Sequence, residues 1–137
     1  MPIIQVKYST PNPRGGLVPA IATTVSRLSA QHLRKDPKVT AVTVEAVAAE
    51  TWFCGGDSLA ELGLASFFLD IKIVQGTNTK DEMAAFIAGV YAAMGELLGA
   101  LHSESYVNVD NVDGYGYGFG GLTQERRYVA GKLGVAA

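Results

Sequence analysis

The chain has 137 residues, 48% of them hydrophobic, with 11 Lys+Arg against 13 Asp+Glu and a formal net charge of −2 at pH 7. This is the size of one domain, and basic residues so scattered and outnumbered exclude the patch or stripe of a nucleic-acid binder. No stretch approaches the ~18 apolar residues of a membrane span, nothing resembles a signal peptide, and the lone cysteine, Cys54, excludes an internal disulfide; a cytoplasmic chain is expected.

The first element, Ile3 to Tyr8, reads as an apolar strand headed by Met1-Pro2. A proline behind the initiator is small, so removal of Met1 is the default expectation, and it would leave Pro2 with a free secondary amine. An exposed terminal amine titrates near ~8; desolvation lowers that value towards the range in which general bases work. The competing reading is that the proline opens an edge strand, where its missing N–H costs nothing. Ser9 to Gly16 is a turn rich in Pro and Gly, followed by a helix whose apolar positions Leu17, Ile21, Val25, Leu28 and Leu33 fall at helical spacing. Asp36-Pro37 ends it, and the β-branched run Val39 to Val47 reads as a second strand.

After Trp52-Phe53-Cys54-Gly55-Gly56 and a short helical link from Ser58 to Leu64, the pattern restarts with a strand from Phe67 to Val74. A second helix is predicted from Lys80 to Leu101, buried along Met83, Phe86, Ile87, Val90, Met94, Leu97 and Leu98, then a strand from Ser105 to Val112. A hairpin-like run of glycines and aromatics, Gly114 to Gly121, precedes a short helix over Thr123 to Leu133. A constant offset of 65 residues carries Lys7 to Lys72, Trp52 to Tyr117, and Gly55-Gly56 to Gly120-Gly121, with no gap. We read an internal duplication with units of about 2–56 and 67–121, in which Pro2 falls opposite Phe67. The fold class that follows is α+β: a tandem βαβ repeat forming a four-stranded mixed sheet with two helices on one face. Strands apolar on both sides are expected to bury the other face.

A duplicated βαβ unit with a proline behind Met1 resembles the tautomerase superfamily, whose members use an amino-terminal proline as catalytic base. The resemblance covers nearly the whole chain. The first half is similar to the short 4-oxalocrotonate tautomerase subunit, with Trp52 where that branch has an aromatic on the active-site wall; Tyr106-Val107-Asn108 matches a Tyr-Ile-Asn strand of the macrophage migration inhibitory factor branch, and Lys35 aligns with a pocket lysine there. The resemblance implies a homotrimer with its sheets facing a central axis, a cofactor-independent isomerase with Pro2 as base, and a small unsaturated or aromatic 2-oxo acid or 2-hydroxydienoate as substrate. Lys35, Tyr106 or Asn108 would stabilise the oxyanion, Trp52 and Tyr117 would keep the pocket apolar, and Arg14, Lys35 and Lys72 are the cations available for a carboxylate.

One departure narrows this. The turn after Ile71-Lys72-Ile73 reads Gln75-Gly76-Thr77-Asn78, without the arginines that dehalogenating and decarboxylating members carry there. Two rivals lose the turnover: a ligand-binding or signalling trimer of the same fold, and a plain βαββαβ ferredoxin-like binding module in which the proline is incidental. Cys54 has no histidine near it in sequence, and His32 and His102 find no third ligand, so no metal site is expected.

Overall fold

The computed structural model describes residues 1–137. Strand β1 (Ile3–Ser9) leads through the proline-glycine turn to helix α1 (Leu17–Leu33), and the chain returns through a 3-10 turn at Pro37–Val39 into β2 (Ala41–Ala46). A hairpin of two-residue strands, β3 (Phe53–Cys54) and β4 (Asp57–Ser58), runs into the single turn α2 (Leu59–Leu62). The same series then repeats: β5 (Ser66–Val74), α3 (Lys80–Leu98), β6 (Tyr106–Val112), the hairpin β7 (Gly118–Phe119) and β8 (Leu122–Thr123), and α4 (Gln124–Leu133).

Strand, long helix, strand, hairpin and short helix thus occur twice in the same order, and the 3-10 turns at Pro37–Val39 and Ala49–Thr51 occur only in the first series. Both hairpins turn on a Gly-Gly pair with positive φ at each residue, 60° and 89° at Gly55 and Gly56, 62° and 82° at Gly120 and Gly121. Only glycine adopts two such residues in succession without steric cost, and this turn matches the twist of the flanking strands. The helix after each hairpin is capped alike, with the Ser58 hydroxyl accepting from the Glu61 N–H and the Thr123 hydroxyl from the Arg126 N–H.

The sheet has the order β2-β1-β5-β6, with β1 parallel to β2, β5 parallel to β6, and β1 antiparallel to β5. Both long helices lie on one face. Ile4, Val6 and Tyr8 of β1 and Phe67, Leu69, Ile71 and Ile73 of β5 alternate inward and meet Ile21, Val25 and Leu28 of α1 and Phe86, Val90, Met94 and Leu98 of α3. The helix α3 stripe is narrower than its sequence suggests: Ile87 is 40% exposed, because four positions spaced by four residues already fill the contact with the sheet. That helix starts on a full capping box between Thr79 and Glu82 and stops at Leu98 rather than Leu101.

The other face corrects an expectation. It is polar rather than apolar, presenting Gln5, Lys7, Thr43, Glu45, Asp70, Lys72, Asn108 and Asp110 beside the exposed Phe68 and Tyr106. Lys72 Nζ donates to Asp70 at 3.0 Å and to Asp110 at 2.9 Å, and Asn108 donates to the other Asp70 oxygen at 2.8 Å. The strands read as two-sided because their valines and isoleucines are frequent, but period-two alternation puts all but Ile3, Val74 and Val112 on the helix side. No helix is long and apolar enough to cross a membrane.

Candidate active site

Pro2 is buried at the head of β1, with its carbonyl accepting from the Ala41 N–H at 3.2 Å. Tyr117 bridges its two neighbours: the phenol donates to the Met1 carbonyl at 2.7 Å and accepts from the Ile3 N–H at 3.2 Å. The Gln124 N–H donates to the Tyr117 carbonyl at 2.8 Å, so the second hairpin, α4 and the chain start are tied together. Burial pushes the Tyr117 phenol up, which keeps it a hydroxyl donor.

Two cavities open here, and Met1 is the residue they share. One, of about 430 Å³, is lined by Met1, Pro2, Val39, Ala41, Tyr117 and Phe119 among others. The other, of about 490 Å³, is lined by Met1, Lys35, Thr77, Gln124, Glu125 and Arg127 among others. The terminal amine at this point is held below the ordinary value of an α-amino group, first by burial and then by the charge of Lys35. Lys35 is itself lowered, by burial and then by Arg34. It reaches the cavity because α1 ends in a left-handed residue, Arg34 (φ 57°), whose N–H and that of Lys35 return to the Ala30 and Ser29 carbonyls. Its Nζ donates to Thr77 Oγ1 at 3.1 Å.

No family model matches the sequence, and no curated protein matches it. Solved structures do. A fused 4-OT forming a symmetric trimer superposes with a TM-score of 0.76 at 18% identity, over 90% of this chain and 96% of that one. Pt0534 inactivated by 2-oxo-3-pentynoate superposes at 0.79 with 13% identity, over 91% and 98%. A macrophage migration inhibitory factor-like protein from Entamoeba histolytica superposes at 0.73 with 18% identity, over 89% and 97%.

The fold is that of the tautomerase superfamily.

In this tautomerase fold the residues singled out from the sequence divide between the two ends of the sheet. Pro2, Lys35 and Tyr117 gather at one end, where β1 begins. Trp52 and Tyr106 stand at the other, about 20 Å away at the ~3.3 Å rise of a strand, because β5 runs antiparallel to β1 and Tyr106 pairs with Phe68 at its start. Within one chain, therefore, Trp52 does not wall the Pro2 pocket and Tyr106 does not face it. Asn108 and Lys72 lie on the open face of the sheet, engaged with Asp70 and Asp110. Arg14, in the turn after β1, donates to the Leu97 carbonyl at 3.0 Å and so satisfies the carboxyl end of α3.

The far end also brings together what the sequence kept apart. One ligand atom each from Cys54, His102 and Glu104 lies within 4.8 Å of the others. This is a donor set for a transition metal, but His102 Nδ1 already accepts from the Glu104 N–H at 2.9 Å, and burial, then Glu104, pushes the Cys54 thiol up. Both effects oppose ligation.

Sequence reasoning missed Gln124 and Arg127, taking their segment as a short polar helix. Arg127 stacks on the Phe119 ring, its Cζ 3.9 Å from the centroid, and Nη2 donates to the Phe119 carbonyl at 3.1 Å. The signal was present in the duplication: at the offset of 65, Gln124 and Arg127 occupy the places of Leu59 and Leu62.

Proposed function

We propose that the chain is a tautomerase that interconverts enol and keto forms of a 2-oxo acid or 2-hydroxydienoate, with Pro2 as general base once Met1 is removed. The observation that carries this reading is that Pro2 is buried at the head of β1 against a cavity shared with Tyr117 and Phe119, next to a Met1 amine that burial and Lys35 hold low. An amine so placed is neutral, and able to take a proton, nearer to neutral pH than an exposed one. Loss of Met1 removes the residue common to the two cavities and frees the Pro2 nitrogen beside the one lined by Tyr117 and Phe119. It also frees the Tyr117 hydroxyl from its Met1 acceptor.

The chemistry then uses groups already in place. Pro2 nitrogen removes a proton α to the carbonyl, or from the enol hydroxyl, and returns it at another carbon of the conjugated system. Negative charge gathers on oxygen, where preorganised donors lower the barrier most; Tyr117 and cationic Lys35 are the donors at hand. In a homotrimer, such as the fused 4-OT structures form, Trp52 and Tyr106 can meet Pro2 only from the next subunit.

The test is turnover of the enol of phenylpyruvate, followed by ultraviolet absorbance, on protein whose intact mass shows Met1 removed. Pro2→Ala keeps a primary amine without the ring that fixes its direction, and should lose ~10²-fold in rate. Treatment with 2-oxo-3-pentynoate, which inactivates Pt0534, should label Pro2: the nitrogen adds to the alkyne, one N–C bond forms, and a proton moves to carbon with no leaving group. Equal turnover by processed and Met1-retaining protein would overturn the assignment, since an amide nitrogen takes no proton near neutral pH.

A further inference from the structure

The two ends of the sheet are built by the same elements, yet they differ where it matters for a ligand. Position 59 in α2 is a leucine, 1% exposed; its counterpart in α4 is Gln124, 8% exposed. Nε2 of Gln124 is buried without a hydrogen-bond partner, and so is Nε of Arg127, the counterpart of Leu62. Buried polar atoms without partners are rare in folded chains, and at the far end a buried leucine, Leu59, fills the place of Gln124, while Leu62, at the place of Arg127, is exposed.

Both orphaned atoms are donors sealed from solvent, so an acceptor reaches them once the two side chains turn towards the cavity that they line. The N–H groups of the first α4 turn do not compete for it: those of Gln124, Glu125 and Arg126 already go to Tyr117, Gly114 and Thr123. Gln124, Arg127 and Lys35 line the cavity that Met1 borders, giving two cations against one carboxylate, Glu125. That balance suits a monoanion and disfavours a second negative charge. The Arg127 guanidinium lies against the Phe119 ring and carbonyl, and its planar geometry matches a carboxylate.

We infer that Arg127 and Gln124, with Lys35 opposite, form a carboxylate subsite beside Pro2, so that α4 supplies the guanidinium missing from the turn at 75–78. The inference names which groups select for acids, and it rests on the tautomerase reading for the orientation of the substrate.

Binding and turnover separate the two. Calorimetric titration with 3-phenylpropionate, which carries a carboxylate but no enolisable ketone, tests the subsite alone: Arg127→Met should weaken binding about 10–100-fold, Gln124→Leu less, and inorganic phosphate should bind more weakly than the carboxylate. In turnover, the preference of the enzyme for phenylpyruvate over its methyl ester should collapse in Arg127→Met, chiefly through KM. Arg127→Lys, which keeps the charge and removes the fork, guards against misfolding and should recover part of the binding. If 3-phenylpropionate binds Arg127→Met and Arg127→Lys as well as the natural chain, or if phosphate binds tighter, the subsite is wrong whatever the turnover. If it binds as expected and neither phenylpyruvate nor its ester turns over, the subsite stands and the tautomerase reading falls.

Discussion

Gln5 of β1 stands directly opposite Asp70 of β5 in the antiparallel pair, and Asp70 is its own counterpart at the offset of 65. The local two-fold axis of the duplicated chain therefore passes between these two residues. Ile4 with Ile71 and Val6 with Leu69 are the same pair seen from its two ends. A symmetric scaffold of this kind makes differences between its ends informative, since packing alone asks for the same residues at both. Pro2 against Phe67, Gln124 against Leu59, and Arg127 against Leu62 are such differences, and all three fall at the end where β1 begins.

The pH dependence of kcat/KM follows from the amine. A base must be deprotonated to work, so activity should rise with pH and level off above the Pro2 amine pKa, which should fall below the ~8 of an exposed terminus if the burial that lowers the Met1 amine at this place also acts on Pro2. Tyr117→Phe removes the hydroxyl that bridges Met1 and Ile3 and, in the processed protein, an oxyanion donor. It should lower kcat about 10²-fold and leave this acid limb in place. An acid limb centred at or above 8.0 would show that the site does not desolvate its amine.

The two hairpin glycines, Gly55 and Gly120, have the same backbone angle, 60° and 62°, and different surroundings. A Cβ at Gly55 meets nothing within 4 Å, while at Gly120 it comes within 2.9 Å of Arg127 Nη2. Alanine at either place costs ~1–2 kcal/mol for the left-handed conformation. Gly120→Ala should also displace Arg127, so thermal melting should fall further than in Gly55→Ala, and titration with 3-phenylpropionate should weaken in that variant only.

Acid stability should depend on Glu82. Its carboxyl is held below the ordinary 4.5, first by the Thr79 N–H of the capping box, with Asn78 and Arg34 contributing. A lowered folded-state pKa stabilises the protein above the unfolded value and loses that contribution as pH falls through the folded one. The melting temperature should drop as pH is lowered from about 5 to 3, and Glu82→Gln should flatten that drop while lowering the plateau near neutral pH.

Assembly is tested by mass. Light scattering at micromolar concentration should give three times the 14.4 kDa of the chain. Because the open sheet face is polar and carries the Lys72 pairs with Asp70 and Asp110, association through it should respond to salt more than an apolar contact would. A monomer at low and high salt alike would rule out the trimer.

Much of the fold was readable from local pattern. Helical spacing in Leu17 to Leu33, β-branched runs in the strands, and the Gly-Gly pairs each constrain a few neighbouring φ and ψ angles, and the offset of 65 between units is a property of the one-dimensional string. Local pattern also singled out Pro2, because its chemistry comes from its place in the chain, whereas Lys35 was singled out by the family resemblance alone. Which residues share a pocket depended on strand direction, and that is settled by the packing of the two units about their axis. The antiparallel β1–β5 pair sent Trp52 and Tyr106 to the far end with Cys54 and His102, and put Asn108 and Lys72 on the open face. It brought Tyr117 and Arg127, more than 100 residues along the chain, to the start of β1. No periodicity in the sequence encodes that meeting, because it is made by contacts between units rather than within them.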